Sequence, residues 1–147
     1  MFFPEAYYMS TRQSAICLVL GFVFATCAEV SATDWRFYTR NEFGLYQYDA
    51  EDVSHLSKSL VRVHQKLVLS DRGTTTLIRE LGKEHENTRE IITLREIDCL
   101  GKKSRILELI YCSENGTVIK RESYNPIEWD SITPDSVDDV LHQVVCE

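Results

Sequence analysis

The chain carries five cysteines and four histidines, the side chains whose spacing could do chemistry. Cys99, Cys112, Cys146 and His142 are ligand types that suit zinc, and His142 lies one helical turn from Cys146. No close CxxC or HxxxH pair nucleates such a site, so the metal reading has two ligands on one face and no third. Cys112 with His64 would make a thiol nucleophile and its base, provided the fold brought them together. The acidic runs "DAED" (Asp49–Asp52) and "DSVDD" (Asp135–Asp139) read more simply as a turn and a helix start than as an acid–base pair. The sequence has no glycine-rich phosphate loop and no dinucleotide fingerprint. The expectation is a protein that is not an enzyme and takes no cofactor or metal.

What surrounds the first two cysteines, Cys17 and Cys27, sets the compartment. Arg12 is followed by a mostly apolar stretch from Ala15 to Ala28 without a charge. That is too short to span a bilayer, which takes about 20 residues. A cation, a short apolar core and the small residues of "EVSATDW" together read as a secretory signal peptide over residues 1–32, cleaved after Ala32. Met9 is an alternative start. "FATC", ending at Cys27, loosely resembles a lipidation site, and a lipid there would anchor the protein. After Ala32 come 115 residues with 15 Lys and Arg against 21 Asp and Glu, a net charge of −6. A nucleic-acid partner wants a basic face, which this balance does not provide. The one basic cluster, "GKKSR" (Gly101–Arg105), falls at a turn. A domain this small gains from a covalent staple, and export supplies the oxidising compartment in which one forms.

Residues 33–147 read as one α+β domain: a single antiparallel meander of about six strands, with a C-terminal helix on one face. "WRFYTR" (Trp35–Arg40) and "FGLYQYD" (Phe43–Asp49) are aromatic-rich runs expected to pair as strands. Their aromatics, Trp35, Phe37, Tyr38, Phe43, Tyr46 and Tyr48, either fill a core face in alternation or form a binding face. "SLVRVHQKLVL" alternates Val61 and Val63 against Arg62 and His64, the period of a half-buried strand. "LIRELGKEHE" (Leu77–Glu86) has Gly82 in its middle, so a loop with at most two helical turns is expected. Asn115-Gly116 signals a type I′ hairpin turn, with positive φ at both residues. In "SITPDSVDDVLHQVVC", Thr133 can cap a helix, Pro134 suits its first turn and Asp135 complements its dipole. Val137, Val140, Leu141 and Val144 follow as one apolar stripe, and the last turn delivers Cys146.

Beyond the signal segment the cysteines are odd in number: Cys99, Cys112 and Cys146. Folding the hairpin about Gly101-Lys102 sets Asp98 opposite Arg105 and Arg95 opposite Glu108, pairs worth about 0.2–1 kcal/mol each. Ile92, Leu94, Leu107, Leu109 and Tyr111 then share one face, and Ile97, Cys99, Ile106, Ile110 and Cys112 the other. Cys99 and Cys112 end up about eight residues apart along the hairpin, roughly 26 Å. A disulfide needs Cα atoms within about 7 Å. Any bridge among the three must then use Cys146, with Cys99 or Cys112 as its partner.

"EIDC" (Glu96–Cys99, with Asp98 inside it), "RILELIYCSENG" and "EWDSITPDSVDDVLHQVVC", with Trp129, Pro134, Ser136 and the closing cysteine, resemble the surface-adhesin protein E family. The resemblance runs from Trp35 to Cys146. It implies a small exported bacterial domain whose C-terminal helix is tethered to the sheet by a disulfide, here Cys99–Cys146. Cys112 is then left as a free thiol, read as a buried small hydrophobe. His64 departs from the family, which usually has an aromatic residue at that place in the strand, and so do the extra Cys112 and the segment Leu69–Asn87.

The function expected from these readings is that of a non-enzymatic cell-envelope module, in the periplasm or at the outer membrane or cell surface. It binds a protein or surface partner, among them a second copy through an open sheet edge. Nucleic acid is excluded, and membrane contact comes only through a lipid at Cys27. The alternative is a small periplasmic enzyme or metal-handling protein using Cys112, His64 or His142.

Overall fold

Wherever apolar and polar residues alternate, the chain forms strands, and all of them join one antiparallel sheet. In the structure, a computed structural model describing residues 33–147, the strands are β1 (Trp35–Asn41), β2 (Gly44–Asp49), β3 (Ser54–His55), β4 (Leu60–Leu69), β5 (Glu90–Asp98), β6 (Lys103–Cys112), β7 (Val118–Ser123) and β8 (Asp130–Ser131). Their order is β1-β2-β4-β5-β6-β7, with β3 paired to β4 and β8 to β6. Six strands therefore carry the meander, and two short ones extend it. Helices α1 (Asp71–Leu81) and α2 (Val137–Val145) complete the α+β architecture. The expected signal segment, with Cys17 and Cys27, lies outside the described residues.

Alternation decides where the core sits. Val61 and Val63 of β4 and Ile97 of β5 point to one face, where Leu141 and Val145 of α2 meet them. Tyr38, Tyr48, Val53, Ile132 and the sulfurs of Cys99 and Cys146 close around this cluster. Burying a side chain such as Leu141 contributes about 1.5–3 kcal/mol, so α2 is held largely by these contacts and its bridge.

The segment expected as a loop is in fact a helix of three turns. The Ser70 hydroxyl accepts a hydrogen bond from the Gly73 N–H at 3.0 Å, which caps α1 seven residues before Leu77. Gly82 is not in its middle but ends it, with φ 107°, a conformation open to glycine. Gly73 has a second role: a Cβ there would lie 2.1 Å from the Phe43 carbonyl oxygen, so its absence lets α1 seat against the β1–β2 turn. A 3-10 turn, Lys83–His85, follows. It buries His85 at 1% exposure, with ring centroids 4.6 Å from Tyr111. Tyr111 lies opposite Ile91, and Ile91 opposite Leu67. This puts Tyr111 on the face of Val61 and Val63, so both helical segments cover the same side.

The β5–β6 hairpin is also tighter than expected. Glu96 faces Arg105, Ile97 faces Ser104 and Asp98 faces Lys103, with a bulge between Leu94 and Arg95. The cause is local: Asp98 Oδ1 accepts from the Gly101 N–H at 3.0 Å, and Lys102 takes φ 49°. The expected pairs Asp98–Arg105 and Arg95–Glu108 do not form. Arg105 pairs with Glu96 instead, and Glu108 with Arg121. The bulge splits the expected faces, since Ile92 and Leu94 now point away from Leu109 and Tyr111. Cys99 and Cys112 still lie at opposite ends of the hairpin.

Two smaller corrections concern turns and caps. The cap of α2 is Ser136, whose hydroxyl accepts from the Asp139 N–H at 3.2 Å. Thr133, Pro134 and Asp135 (φ 61°) precede the helix. Its inward stripe is Asp138, Leu141 and Val145, because Asp138 is drawn to Arg95 at 2.5 Å; Val144 faces out. At Asn115-Gly116 only Gly116 has positive φ. Asn115 Oδ1 instead accepts from the Thr117 N–H, which makes a looser turn than type I′.

Candidate functional site

The covered face is locked at the chain end. Cys99 and Cys146 form a disulfide, with Cα atoms 5.6 Å apart. Cys99 sits just past β5, where its N–H reaches the Ser59 carbonyl at 2.7 Å. His142, one turn before Cys146, donates from Nε2 to the Cys99 carbonyl at 3.0 Å. Three tethers thus converge on one residue. The bridge closes a 47-residue separation, worth about 4 kcal/mol in the chain-entropy model. Two of the cysteines in the zinc reading are thereby bonded to each other, and His142 is committed to a carbonyl.

The open face carries the other half of each alternating strand. Phe37 lies opposite Gln47, Gln47 opposite Lys66, and Lys66 opposite Ile92. The next row joins Leu45, Val68 and Glu90. Phe37 is 58% exposed and Leu45 43%. Trp35 lies under the Lys66 ammonium, 4.3 Å from it, a cation–π contact that holds both side chains flat to the sheet. The aromatics of the first hairpin are thus divided: Tyr38, Tyr46 and Tyr48 stack on the covered side, and Trp35 and Phe37 stay on the open one.

At one end of the open face stands an ion-pair clamp. Glu96 is nearly buried and lies between Arg62, at 2.7 Å, and Arg105, at 2.7 Å. Burial would raise its carboxyl, but hydrogen bonds from Arg62 and Arg105 outweigh that and hold it below its ordinary value. Trp129 stacks on the Arg105 guanidinium at 4.2 Å, and Arg105 also donates to the Pro126 carbonyl. The clamp pins the Pro126–Trp129 segment that leads from β7 to β8 and α2. Sequence reading missed Glu96, whose signal was an acidic residue in a strand with an arginine on each neighbouring strand.

The remaining candidates are dispersed. Cys112, at the far end of β6, is buried and unbridged. Burial, with Glu90 nearby, pushes its thiol up from the ordinary value, the opposite of an activated nucleophile. His64 is on the open face, its Nδ1 2.5 Å from Asp52 Oδ2. His142 is on the covered side. Cys112, His64 and His142 therefore do not form one site. Among the described residues, no three His, Cys, Asp or Glu side chains gather as metal ligands.

Two solved structures of Haemophilus influenzae protein E share this fold. Crystal form II is 16% identical, with a TM-score of 0.51 over 78% of this chain and 91% of that one. The other is also 16% identical, with a TM-score of 0.50 over 78% and 88%. No curated protein sequence matches the chain. The family model described as surface-adhesin protein E matches residues 35–147, the whole sheet together with the bridged helix. On that match, the chain belongs to the surface-adhesin protein E family.

Proposed function

We propose that this adhesin-like protein is a non-enzymatic cell-envelope module that binds a protein partner on its open sheet face. Residues 1–32 act as its export signal, and residues 33–147 are the exported domain, displayed at the cell surface. A lipid at Cys27 is the anchored variant of the same reading. The observation that carries it is the contrast on one sheet: both helical segments cover one side, while Phe37, Leu45, Trp35 and Lys66 stay together on the other. Exposed aromatic and aliphatic side chains grouped beside charges are what protein interfaces use.

A photo-crosslinking residue at Phe37 or Leu45, displayed on intact cells, is expected to capture one and the same protein. A probe at Leu81, exposed on α1, should not capture it. Capture at Leu81 alone would overturn the reading. The intact mass of the envelope-purified protein tests the export step, since a chain starting at Thr33 and one starting at lipidated Cys27 differ plainly.

A second copy is the other partner with a specific observation behind it. The Tyr124 N–H turns inward to the Leu107 carbonyl, which leaves the peptide groups of Arg121 and Ser123 facing outward along β7. Two β7 edges paired about Arg121 would set Lys120 against Glu122 twice. Sedimentation of the protein at high concentration tests this edge pairing, and a monomer throughout would exclude it.

A further inference from the structure

The chain has four asparagines, and the residues that follow them differ in what they allow. Asn41 precedes Glu42, Asn87 precedes Thr88 and Asn125 precedes Pro126, whereas Asn115 precedes Gly116. A peptide nitrogen can attack the side-chain amide carbon of the asparagine before it and close a five-membered imide. A side chain on the attacking residue hinders that approach, and proline has no N–H to give up. Glycine, without a Cβ, hinders it least. Asn115 is therefore the asparagine whose successor favours the reaction, and it lies exposed in the turn between β6 and β7.

The turn restrains it. The Gly116 N–H donates to the Ser113 carbonyl at 3.0 Å, and the Ser113 N–H to the Thr117 carbonyl at 2.9 Å. Asn115 Oδ1 accepts from the Ser113 hydroxyl and from the Thr117 N–H at 3.2 Å. The attacking nitrogen thus has its proton engaged, and the target carbon is held through its oxygen. Neither side-chain bond involves the amide nitrogen, which is the leaving group. No atom lies within 4 Å of where a Gly116 Cβ would sit, so water reaches the peptide as soon as the turn opens.

We propose that Asn115 is a site of spontaneous modification, converted through a cyclic imide to aspartate and isoaspartate when the turn opens. The Gly116 nitrogen loses its proton to water or hydroxide and bonds to Asn115 Cγ. The Cγ–Nδ2 bond breaks, and the amide nitrogen takes a proton from water and leaves as ammonia. A second water then adds to either imide carbonyl. Opening at Cγ restores the peptide bond and gives aspartate, which keeps the acceptor oxygen of the turn. Opening at the main-chain carbonyl gives isoaspartate and puts one more methylene into the backbone. That product breaks the register of the turn beside β7, the edge on which a second copy would pair. Either product adds a carboxylate to a cleft that Asn115 lines together with Arg89 and Glu114.

The test is incubation of the full chain in mildly alkaline buffer at body temperature, followed by digestion and fragmentation mass spectrometry. A mass gain equal to exchange of NH for O is expected at Asn115, faster as pH rises because the attack needs a deprotonated nitrogen. A free peptide of residues 113–118, which lacks the fold, should convert faster than the chain. Ser113→Ala removes one bond to Oδ1 and should speed conversion in the folded chain about threefold or more. Asn115→Gln, which would need a six-membered ring, should abolish the gain. The proposal is overturned by an unchanged Asn115 once the free peptide is fully converted, or by Asn41 or Asn87 converting as fast. A folded chain as fast as the peptide, or a Ser113→Ala chain no faster than the native one, would overturn the control by the turn.

Discussion

Within four residues β4 serves two different surfaces. Val61 and Val63 are 2% and 0% exposed beneath α2, while Arg62 and His64 point the other way, to Glu96 and Asp52. The covered side is held by apolar contact, a covalent bridge and the largely buried Arg95–Asp138 pair. The open side is held by charges, and Phe37 and Leu45 on it stay in contact with water. Stability is thus concentrated on one face, and the other is left available for recognition. Covering one face of an antiparallel sheet and leaving the second wet is a common arrangement. Here the covalent staple belongs to the covered face alone.

If that division is right, substitutions should sort by face rather than by residue type. The largest effect is expected from Cys146→Ser, which opens the loop tether and should cost about 4 kcal/mol in chemical denaturation. Cys112→Ala, equally a lost sulfur but outside the bridge, should cost about 1 kcal/mol or less. Equal losses would break the distinction between the two ends of the β5–β6 hairpin. Leu141→Ala comes next, at about 2–4 kcal/mol, from the cavity left between α2 and β4.

The clamp should give a smaller loss with a pH signature. Glu96→Gln is expected to cost about 1–2 kcal/mol at neutral pH, because two arginines lose their shared acceptor. In the native protein the Glu96 carboxyl is held below its ordinary value of 4.5. Its contribution is therefore complete above that value and is lost as pH falls through the lower, folded one. Denaturation midpoints followed from about pH 7 to about pH 3 should converge for native and Glu96→Gln proteins at the acid end. Midpoints that stay parallel would remove the clamp's electrostatic role.

The smallest stability effect is assigned to Phe37→Ala, within about 0.5 kcal/mol. Its effect should appear in partner capture instead. A loss at Phe37 as large as that at Leu141 would mean that the open face is core, and the comparison would fail.

Much of this was readable along the chain. Period-two runs gave the strands, the Val61/Val63 alternation chose the buried side of β4, and the terminal apolar stripe gave a helix ending at Cys146. Each depends on neighbours a few residues apart. The choice of Cys99 over Cys112 came from the family resemblance. The register of β5 on β6 was misread by two residues beside the turn and by one beyond the bulge, because charge pairing alone favours several registers equally well. The Asp98 cap on Gly101 and the bulge decided it, and both are features of folded geometry. The start of α1 was missed because Ser70 and Gly82 look like loop residues until one is seen as a cap and the other as a terminator.

The sequence by itself determined the α+β class, the excess of acid over base, and an odd cysteine in a chain read as exported. These depend on composition and short-range periodicity, which survive without a tertiary fold. Only the tertiary structure decided that Glu96 is gripped by two arginines from separate strands, and that the first hairpin's aromatics divide between core and surface. Those arrangements join residues tens of positions apart, and their energies exist only once the sheet has brought them within a few ångströms.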